Sequence, residues 1–224
     1  MKLISPKYGM EIALEENKIH VLVIEKQEIM LEMTENLWRQ SKGSEGIFLL
    51  SEGDKIFNFS KDVCVILNLF AMDCNERKIL NKLYQEILNV GIEEMNEQIV
   101  EMNGNVVSCL ENLLGKIPYS LDMTYELDVM GLLKLYDVKI DDNSENMVEK
   151  IINYIRCMHQ ICHISVFVFA NLKQYLNEEQ ILTLQEFVMY EKVYLILVES
   201  IQKSILECEK YWIFDKDMCI INTY

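Results

Sequence analysis

Acidic side chains cluster in the segment from Leu121 to Asp128, which contains Asp122, Glu126 and Asp128. Calcium takes six to eight oxygen ligands, usually from closely spaced acidic residues on a partly irregular segment. The three carboxylates are therefore candidate ligands for a hard cation. The alternative is structural: Asp122 caps a helix that begins near Thr124, and Glu126 is stabilised on the first turn by the helix dipole.

Basic side chains form the second group that could do chemistry, because phosphate is bound mainly by Lys and Arg. The formal net charge of −15 excludes an indiscriminate nucleic-acid coat. Residues 138–160, however, carry three Lys and Arg against four acids, whereas residues 61–137 carry six against thirteen. The candidate phosphate contacts are Lys134, Lys139, Lys150, Arg156 and His159. The alternative is a set of solvated surface cations, which most lysines are.

Neither zinc chemistry nor thiol chemistry is indicated. His159 and His163 are four residues apart, but Gln160 stands where the motif H-E-x-x-H requires glutamate, and no third ligand is indicated. The seven cysteines are odd in number, contain no Cys-x-x-Cys pair and lie mostly in apolar runs. We interpret them as reduced core thiols, because free cysteine is usually buried.

The elements that must position these residues are clearest near the C-terminus. Ile164–Ala170 and Val193–Val198 are continuous apolar runs, which is typical of strands buried on both faces of a parallel sheet. Asn177 followed by Gln180 predicts a capping box at the start of an intervening helix. The pattern predicts a βαβ unit. Sheets of this kind often hydrolyse nucleotides, but the phosphate-loop motif G-x-x-x-x-G-K-[ST] is absent from the sequence.

The rest of the chain predicts a sheet interrupted by helices. Strands, a helix and a hairpin are expected within the first 70 residues, and a pair of short strands at 211–214 and 218–222 closes the chain. The intervening region predicts helices over 75–102, 106–114 and 124–135, punctuated by Gly104 and by residues 115–118. We therefore expect an α/β head domain built from residues 1–74 and 138–224, and an inserted helical domain of residues 75–137.

No membrane association is expected from the sequence. The longest apolar runs are shorter than the roughly 18 residues that span a bilayer. The opening segment MKLISPKYGMEI lacks the apolar core of a signal peptide. We expect a cytoplasmic protein without a membrane partner.

Three parts of the C-terminal half form a recognisable pattern: LDMTYELDVMGLLKLYDVKI, the amphipathic helix that starts with Glu149 and Lys150, and VFVFANLKQYLNEEQILTLQEFV with VYLILVE. This pattern closely resembles the Csn family of type II-A CRISPR systems, which are accessory proteins of spacer acquisition. It extends more weakly to IHVLVIE near the N-terminus. The resemblance is a pattern of strands, helices and a few polar landmarks, and it contains no catalytic signature.

The resemblance implies an α/β head with the topology of a P-loop NTPase that has lost its phosphate loop, together with a helical domain. It implies a homotetrameric ring that binds calcium and threads the ends of double-stranded DNA through a lysine-lined hole, without reading base sequence. Nuclease and ATPase activity are not expected. Other CRISPR adaptation proteins and the effector nuclease are the implied protein partners in antiviral defence.

The resemblance also assigns roles to the two groups of side chains. Asp122, Glu126 and Asp128 align with an acidic stretch that is associated with calcium in the family. The basic residues Lys134, Lys139, Lys150, Arg156 and His159 fall where relatives place ring-lining lysines. Two departures weaken these assignments: Thr124 stands where relatives tend to carry another acid, and Gln160–His163 replaces the consecutive lysines of some relatives.

Two other functions are compatible with the residues. A nucleotide-binding or hydrolysing enzyme would use the same α/β fold, but the missing phosphate loop disfavours it. An acidic scaffold that binds only proteins would suit the overall negative charge.

Overall fold

The computed structural model describes residues 1–217 and 220–223, and it shows a mixed α/β protein with two sheets. The strands are β1 (Lys2–Ser5), β2 (Met10–Ala13), β3 (Ile19–Ile24), β4 (Leu49–Glu52), β5 (Lys55–Ile56), β6 (Val63–Ile66), β7 (Val166–Ala170), β8 (Tyr194–Glu199), β9 (Glu209–Phe214) and β10 (Ile220–Thr223). The helices are α1 (Gln27–Ser41), α2 (Phe59–Asp62), α3 (Arg77–Glu94), α4 (Asn96–Leu114), α5 (Val129–Leu135), α6 (Met147–Gln160) and α7 (Glu178–Glu191). Short 3-10 helices cover Pro6–Tyr8, Leu69–Ala71 and Leu172–Gln174.

The larger sheet has the strand order β10-β9-β3-β8-β7-β6. All neighbouring pairs are parallel except β10 with β9. Every residue of β3 and of β8 is buried, as both faces of a parallel sheet require. Helix α1 packs on β3 and β6 through Ile29, Met33 and Leu37, the stripe expected from its helical spacing.

The predicted βαβ unit is confirmed by β7, α7 and β8. Strands β7 and β8 pair in parallel from Val166 with Tyr194 to Ala170 with Val198. The capping box is present: the Asn177 side chain accepts the backbone N–H of Gln180, and the Gln180 side chain accepts that of Asn177. The continuous apolar runs therefore identified both buried strands correctly.

A smaller antiparallel sheet has the order β2-β1-β4-β5. The hairpin predicted around Glu52-Gly53-Asp54 is formed by β4 and β5, and Gly53 adopts φ 57°, which a residue with a side chain rarely adopts. The closing pair of strands is also present as β9 and β10, although Met218 and Cys219 of the predicted last strand lie outside the described residues.

The chain divides into two compact units: a head unit of residues 1–74 and 142 onwards, and a helical unit of residues 75–141. The helical unit includes the segment after α5 because Asn75 holds both backbone groups of Ile140: its amide accepts the Ile140 N–H at 2.8 Å and donates to the Ile140 carbonyl at 3.0 Å. The Tyr84 hydroxyl likewise donates to the Val138 carbonyl at 2.7 Å.

The predicted helix boundaries in this unit were wrong. The chain breaks at Met95 rather than Gly104, and Gly104 lies inside α4. Packing of α3 against α4 is close at Gly91, where a Cβ atom would lie 3.1 Å from the Ile99 side chain. The predicted helix from Thr124 instead begins at Val129, because the Asp128 carboxylate accepts the Gly131 N–H at 2.8 Å and caps it.

Lys173 lies at the centre of a buried polar cluster in the head unit. Its amine donates to both carboxylate oxygens of Glu209, at 2.8 and 2.9 Å, and to the Tyr211 hydroxyl. Its backbone N–H donates to the carboxylate of Glu199 at 2.9 Å. Lys173, Glu199 and Glu209 are each more than nine-tenths buried. An ionised group in such a place is stable only while its partners remain.

Glu199 should make stability fall as the pH rises. Burial raises the pKa of its carboxyl to about 7, above its ordinary value in the unfolded chain. The stabilisation that the protonated Glu199 carboxyl provides is therefore complete at acidic pH. It is lost as the pH rises through about 7, where the buried carboxyl must ionise. Between about pH 5 and about pH 8, the wild type should lose about 2 kcal/mol relative to Glu199→Gln, which cannot ionise and still accepts the Lys173 N–H. Urea unfolding of both proteins at each pH measures the difference, and a constant difference would contradict the prediction.

Candidate nucleic-acid interface

Lys134 and Lys139 are exposed side chains of the helical unit. Lys134 lies in the last turn of α5, where a cation is favoured by the helix dipole. Lys139 follows the helix, and its amine contacts the Asp137 carboxylate at 2.6 Å. That hydrogen bond raises the pKa of the Lys139 amine, so the side chain is firmly cationic. Both lysines can offer positive charge to a phosphate, with Asp137 as an intramolecular competitor for Lys139.

The other candidate cations lie on α6 in the head unit and have different surroundings. Arg156 is held inside the unit: its guanidinium pairs with Glu191 at 3.8 Å, donates to Asn153 at 3.1 Å and lies over the Phe187 ring. The Nδ1–H of His159 donates to the Ile164 carbonyl at 2.8 Å. These contacts fasten α6 to its neighbours. Lys150 is half-buried, and among the described residues no ion pair within 4.0 Å holds its amine, in contrast to Arg156.

The candidate calcium ligands are exposed, and each is placed in or beside a segment without regular structure. The Asp122 carboxylate accepts the backbone N–H of Met123 at 2.9 Å. The Asp128 carboxylate caps α5 through Gly131. The cap role that we considered for Asp122 therefore belongs to Asp128.

The structure does not gather these carboxylates into a metal site. Across residues 1–217 and 220–223, no group of three or more His, Cys, Asp and Glu side chains is arranged to hold a metal ion. Calcium requires six to eight oxygens, and one carboxylate of this set is already engaged as a helix cap. Calcium binding by Asp122, Glu126 and Asp128 therefore stays a prediction.

The carboxyl ends of the parallel strands border a cavity of about 640 Å³. Ligands of open α/β sheets usually bind at this edge. The residues around the cavity are Ile24, Glu25, Gln27, Met30, Leu31, Thr34, Leu67, Ala170, Asn171, Ser200 and Ile201. They include one carboxylate and no Lys or Arg, so the cavity has none of the cations that hold a nucleotide triphosphate.

The connection from β3 to α1 is also too short to cradle phosphates. Only Glu25 and Lys26 separate the two elements. The Lys26 amine lies 4.0 Å from the Glu28 carboxylate, and the Lys26 side chain does not contribute to the cavity lining described above. A phosphate loop needs several consecutive backbone N–H groups that converge on the ligand. The local geometry therefore agrees with the absence of the motif from the sequence.

Sequence reasoning missed the polar residues at this edge. Asn171 follows β7 in the left-handed conformation, with φ 55°, and its amide oxygen accepts the backbone N–H and the hydroxyl of Ser200 after β8. A signal was available, because polar residues directly after two buried strands lie together at the carboxyl edge of a parallel sheet.

The described part of the chain contains no membrane-spanning helix, since none of its helices is both long enough and apolar enough.

Comparison with known proteins identifies a family. The family model described as CRISPR-associated protein (Cas_Csn2) matches residues 40–218, a range that includes the whole helical unit and most of the head unit. A CRISPR-associated protein Csn2 of Streptococcus agalactiae is 22% identical over 169 residues, which cover 72% of this chain and 69% of that protein. Because the family model matches well over half of the sequence, the chain belongs to the Cas_Csn2 family of CRISPR-associated proteins.

Proposed function

We propose that this protein is a non-enzymatic, ring-forming protein that binds the ends of double-stranded DNA and supports spacer acquisition in a type II-A CRISPR system. The observation that carries the proposal is the family match over residues 40–218, which spans both compact units. Other adaptation proteins and the effector nuclease would be its protein partners. The cytoplasm is the compartment in which such a complex would act on DNA.

A ring is proposed because one subunit offers little positive charge. The net charge of −15 opposes phosphate binding, and Arg156 is already paired within the subunit. Four copies of a small basic patch that face one hole would multiply weak contacts on a single duplex. Contacts of this kind address phosphates and carry no base information, so binding would be independent of sequence.

A nucleotide-hydrolysing function is the weaker alternative. The parallel strand order β9-β3-β8-β7-β6 supports the proposal that the head has the topology of a P-loop NTPase. The two-residue connection after β3 and the cation-free cavity disfavour triphosphate binding. A scaffold that binds only proteins is favoured by one observation, the strongly negative net charge.

The direct test is competition between two DNA topologies. A short labelled linear duplex is bound to the full chain, and unlabelled linear or covalently closed circular DNA of equal length is added. A ring that loads over an end should be displaced by linear DNA and only poorly by closed circles. Light scattering on the same sample should return four subunits of 26.4 kDa. A monomer at micromolar concentration, or equal competition by closed circles, would refute the threading mechanism.

Calcium binding by Asp122, Glu126 and Asp128 is a separate proposal, because these residues would have to leave the arrangement described above. If it is correct, calcium should stabilise the wild type, and Asp122→Ala and Glu126→Ala should abolish that gain, since a ligand of the folded state alone raises stability by mass action. Asp128→Ala should in addition lose about 1 kcal/mol in chelator, the usual effect of removing a cap. Thermal unfolding with calcium and with chelator measures both effects. Equal destabilisation of each variant in both conditions would leave the cap of α5 as the role of this segment.

A further inference from the structure

The cavity at the carboxyl ends of the parallel strands carries negative charge without a positive charge to balance it. Glu25 supplies the one carboxylate of the lining described above, and its side chain is exposed. Within residues 1–217 and 220–223, no Lys, Arg or His nitrogen lies within 4.0 Å of the Glu25 carboxylate. The carboxylate is therefore available to a positively charged ligand, and it would repel a phosphate.

The charges next to Glu25 in the chain do not cancel it. Helix α1 begins directly after Lys26, and the N-terminus of a helix carries about half a unit of positive charge. Lys26 and Glu28 lie 4.0 Å apart and offset each other. The full negative charge of Glu25 outweighs the half unit of positive charge, so this end of the cavity favours a cation.

Apolar side chains form most of the remaining lining: Ile24, Met30, Leu31, Leu67, Ala170 and Ile201. Leu31 is 69% exposed and Ile201 is 63% exposed, so water covers apolar surface here. Removing such surface from water is favourable in proportion to its area. The volume of about 640 Å³ lies within the range of cavities that bind small molecules. The lining therefore suits a ligand with an apolar body.

The hydroxyl groups of the lining are arranged as hydrogen-bond acceptors. The Ser200 hydroxyl donates its hydrogen to the Asn171 amide oxygen at 2.9 Å. The Thr34 hydroxyl donates to a backbone carbonyl one turn earlier on α1, at 2.6 Å. Because each hydroxyl has only one hydrogen to donate, both oxygens can act toward a ligand only as acceptors. With the Glu25 carboxylate and the amide oxygen of Gln27, they suit a polar group that has several N–H donors.

We propose that this cavity binds an organic cation: an ammonium or guanidinium group carried on an apolar body. The positive group lies against Glu25 and donates to the acceptors around it, and the apolar body covers Leu31 and Ile201. A free amine and a Lys or Arg side chain of a partner protein carry the same chemistry. The lining belongs entirely to the head unit, so the proposal depends neither on ring formation nor on DNA binding.

The experiment compares three probes that share one apolar body. At neutral pH, phenylpropylamine is a cation, phenylpropanol is uncharged and phenylpropanoate is an anion. Each is titrated at low salt into the full chain labelled at its Met and Ile methyl groups, and the NMR signals of Met30 and Ile201 report binding. We expect the amine to bind roughly two- to fivefold more tightly than the alcohol, the effect of an exposed ion pair, and the acid to bind most weakly. The proposal is overturned if no probe shifts these signals at millimolar concentration, or if the alcohol or the acid binds as tightly as the amine.

Three variants separate the local charge from the total charge. Glu25→Gln should bind the amine and the alcohol equally. The matched control Glu45→Gln removes the same charge from an exposed residue of the head unit outside the lining, and it should keep the preference for the amine. Leu31→Ala should weaken the amine and the alcohol by the same factor, because it removes apolar surface and no charge. A preference for the amine that survives in Glu25→Gln, or that is lost in Glu45→Gln, would overturn the assignment of the cation to Glu25.

A phenylalanyl-arginine dipeptide with both ends capped distinguishes the two sources of the cation. It presents the same kind of apolar body and positive group, but on a peptide backbone. Tighter binding than that of phenylpropylamine would identify a segment of a partner protein as the natural ligand, whereas weaker binding would identify a free amine. Both results support the cation site, provided that Glu25→Gln weakens the binding of whichever probe is tighter.

Discussion

Lys173→Met should destabilise the head unit by about 3–5 kcal/mol, a large fraction of the stability of an ordinary domain. The substitution keeps the length of the side chain but removes the amine that binds both carboxylate oxygens of Glu209. Glu209 would then remain buried without a cationic partner, with the Leu206 N–H at 2.8 Å and the Tyr211 hydroxyl as donors. The loss comes mainly from this uncompensated charge and not from the strength of the original pair.

Fluorescence-detected urea unfolding measures this effect in the correct part of the protein. The two tryptophans, Trp38 and Trp212, both belong to the head unit. The double variant Lys173→Met with Glu209→Gln removes both charges and should recover much of the loss, because the buried carboxylate is gone. The matched control is Lys2→Met, which breaks the exposed Lys2–Glu11 pair and should cost less than about 1 kcal/mol. If Lys173→Met were no worse than Lys2→Met, the buried cluster would not be a determinant of stability.

Strands and helix starts of the head unit could be predicted where a short sequence pattern coincides with burial. Continuous apolar runs identified β7 and β8, and the Asn177–Gln180 pair identified the start of α7. These signals are complete within short segments, so no knowledge of tertiary contacts is needed.

The helical unit was harder because its boundaries depend on packing. Gly104 is an ordinary sign of a helix end, yet it lies within α4, where a Cβ atom would meet open space, at the modest cost of an interior glycine. The break at Met95 has neither glycine nor proline. The sequence analysis considered Asp122 as the helix cap, and the sequence does not reveal that Asp128 accepts the N–H of Gly131 instead.

The candidate site, too, could be predicted from the sequence only in part. Exposed lysines such as Lys134 could be named from sequence and family resemblance. The engagement of Arg156 with Glu191 could not, because it joins residues far apart along the chain. Distant pairings of this kind decide which cations remain available for phosphate.

Replacing Lys139 and Lys150 together with Ala should weaken binding to linear duplex of any sequence. If each lysine contacts one phosphate, its loss should reduce the slope of log affinity against log salt by roughly 0.9. At about 0.1 M salt this corresponds to roughly tenfold per contact, so the double variant should bind about a hundredfold more weakly for each subunit that engages the DNA. Base composition should make little difference. Gel shifts over a series of salt concentrations measure the affinity and the slope together.

The contact between Lys139 and Asp137 supplies a variant with the opposite expected sign. Asp137→Asn removes the carboxylate that competes with phosphate for the Lys139 amine. Asn suits the position because Asp137 has φ 49°, and asparagine tolerates this left-handed conformation better than most residues. The variant should bind linear duplex more tightly, and its gain should vanish when Lys139 is also replaced.

A matched control for the Lys139 and Lys150 double variant is Lys42→Ala with Lys61→Ala. It also removes two positive charges, but from exposed positions of the head unit that are not candidate phosphate contacts. If that control loses as much affinity and salt slope as the Lys139 and Lys150 variant, the binding reflects total charge, and these two lysines do not line a DNA-binding surface.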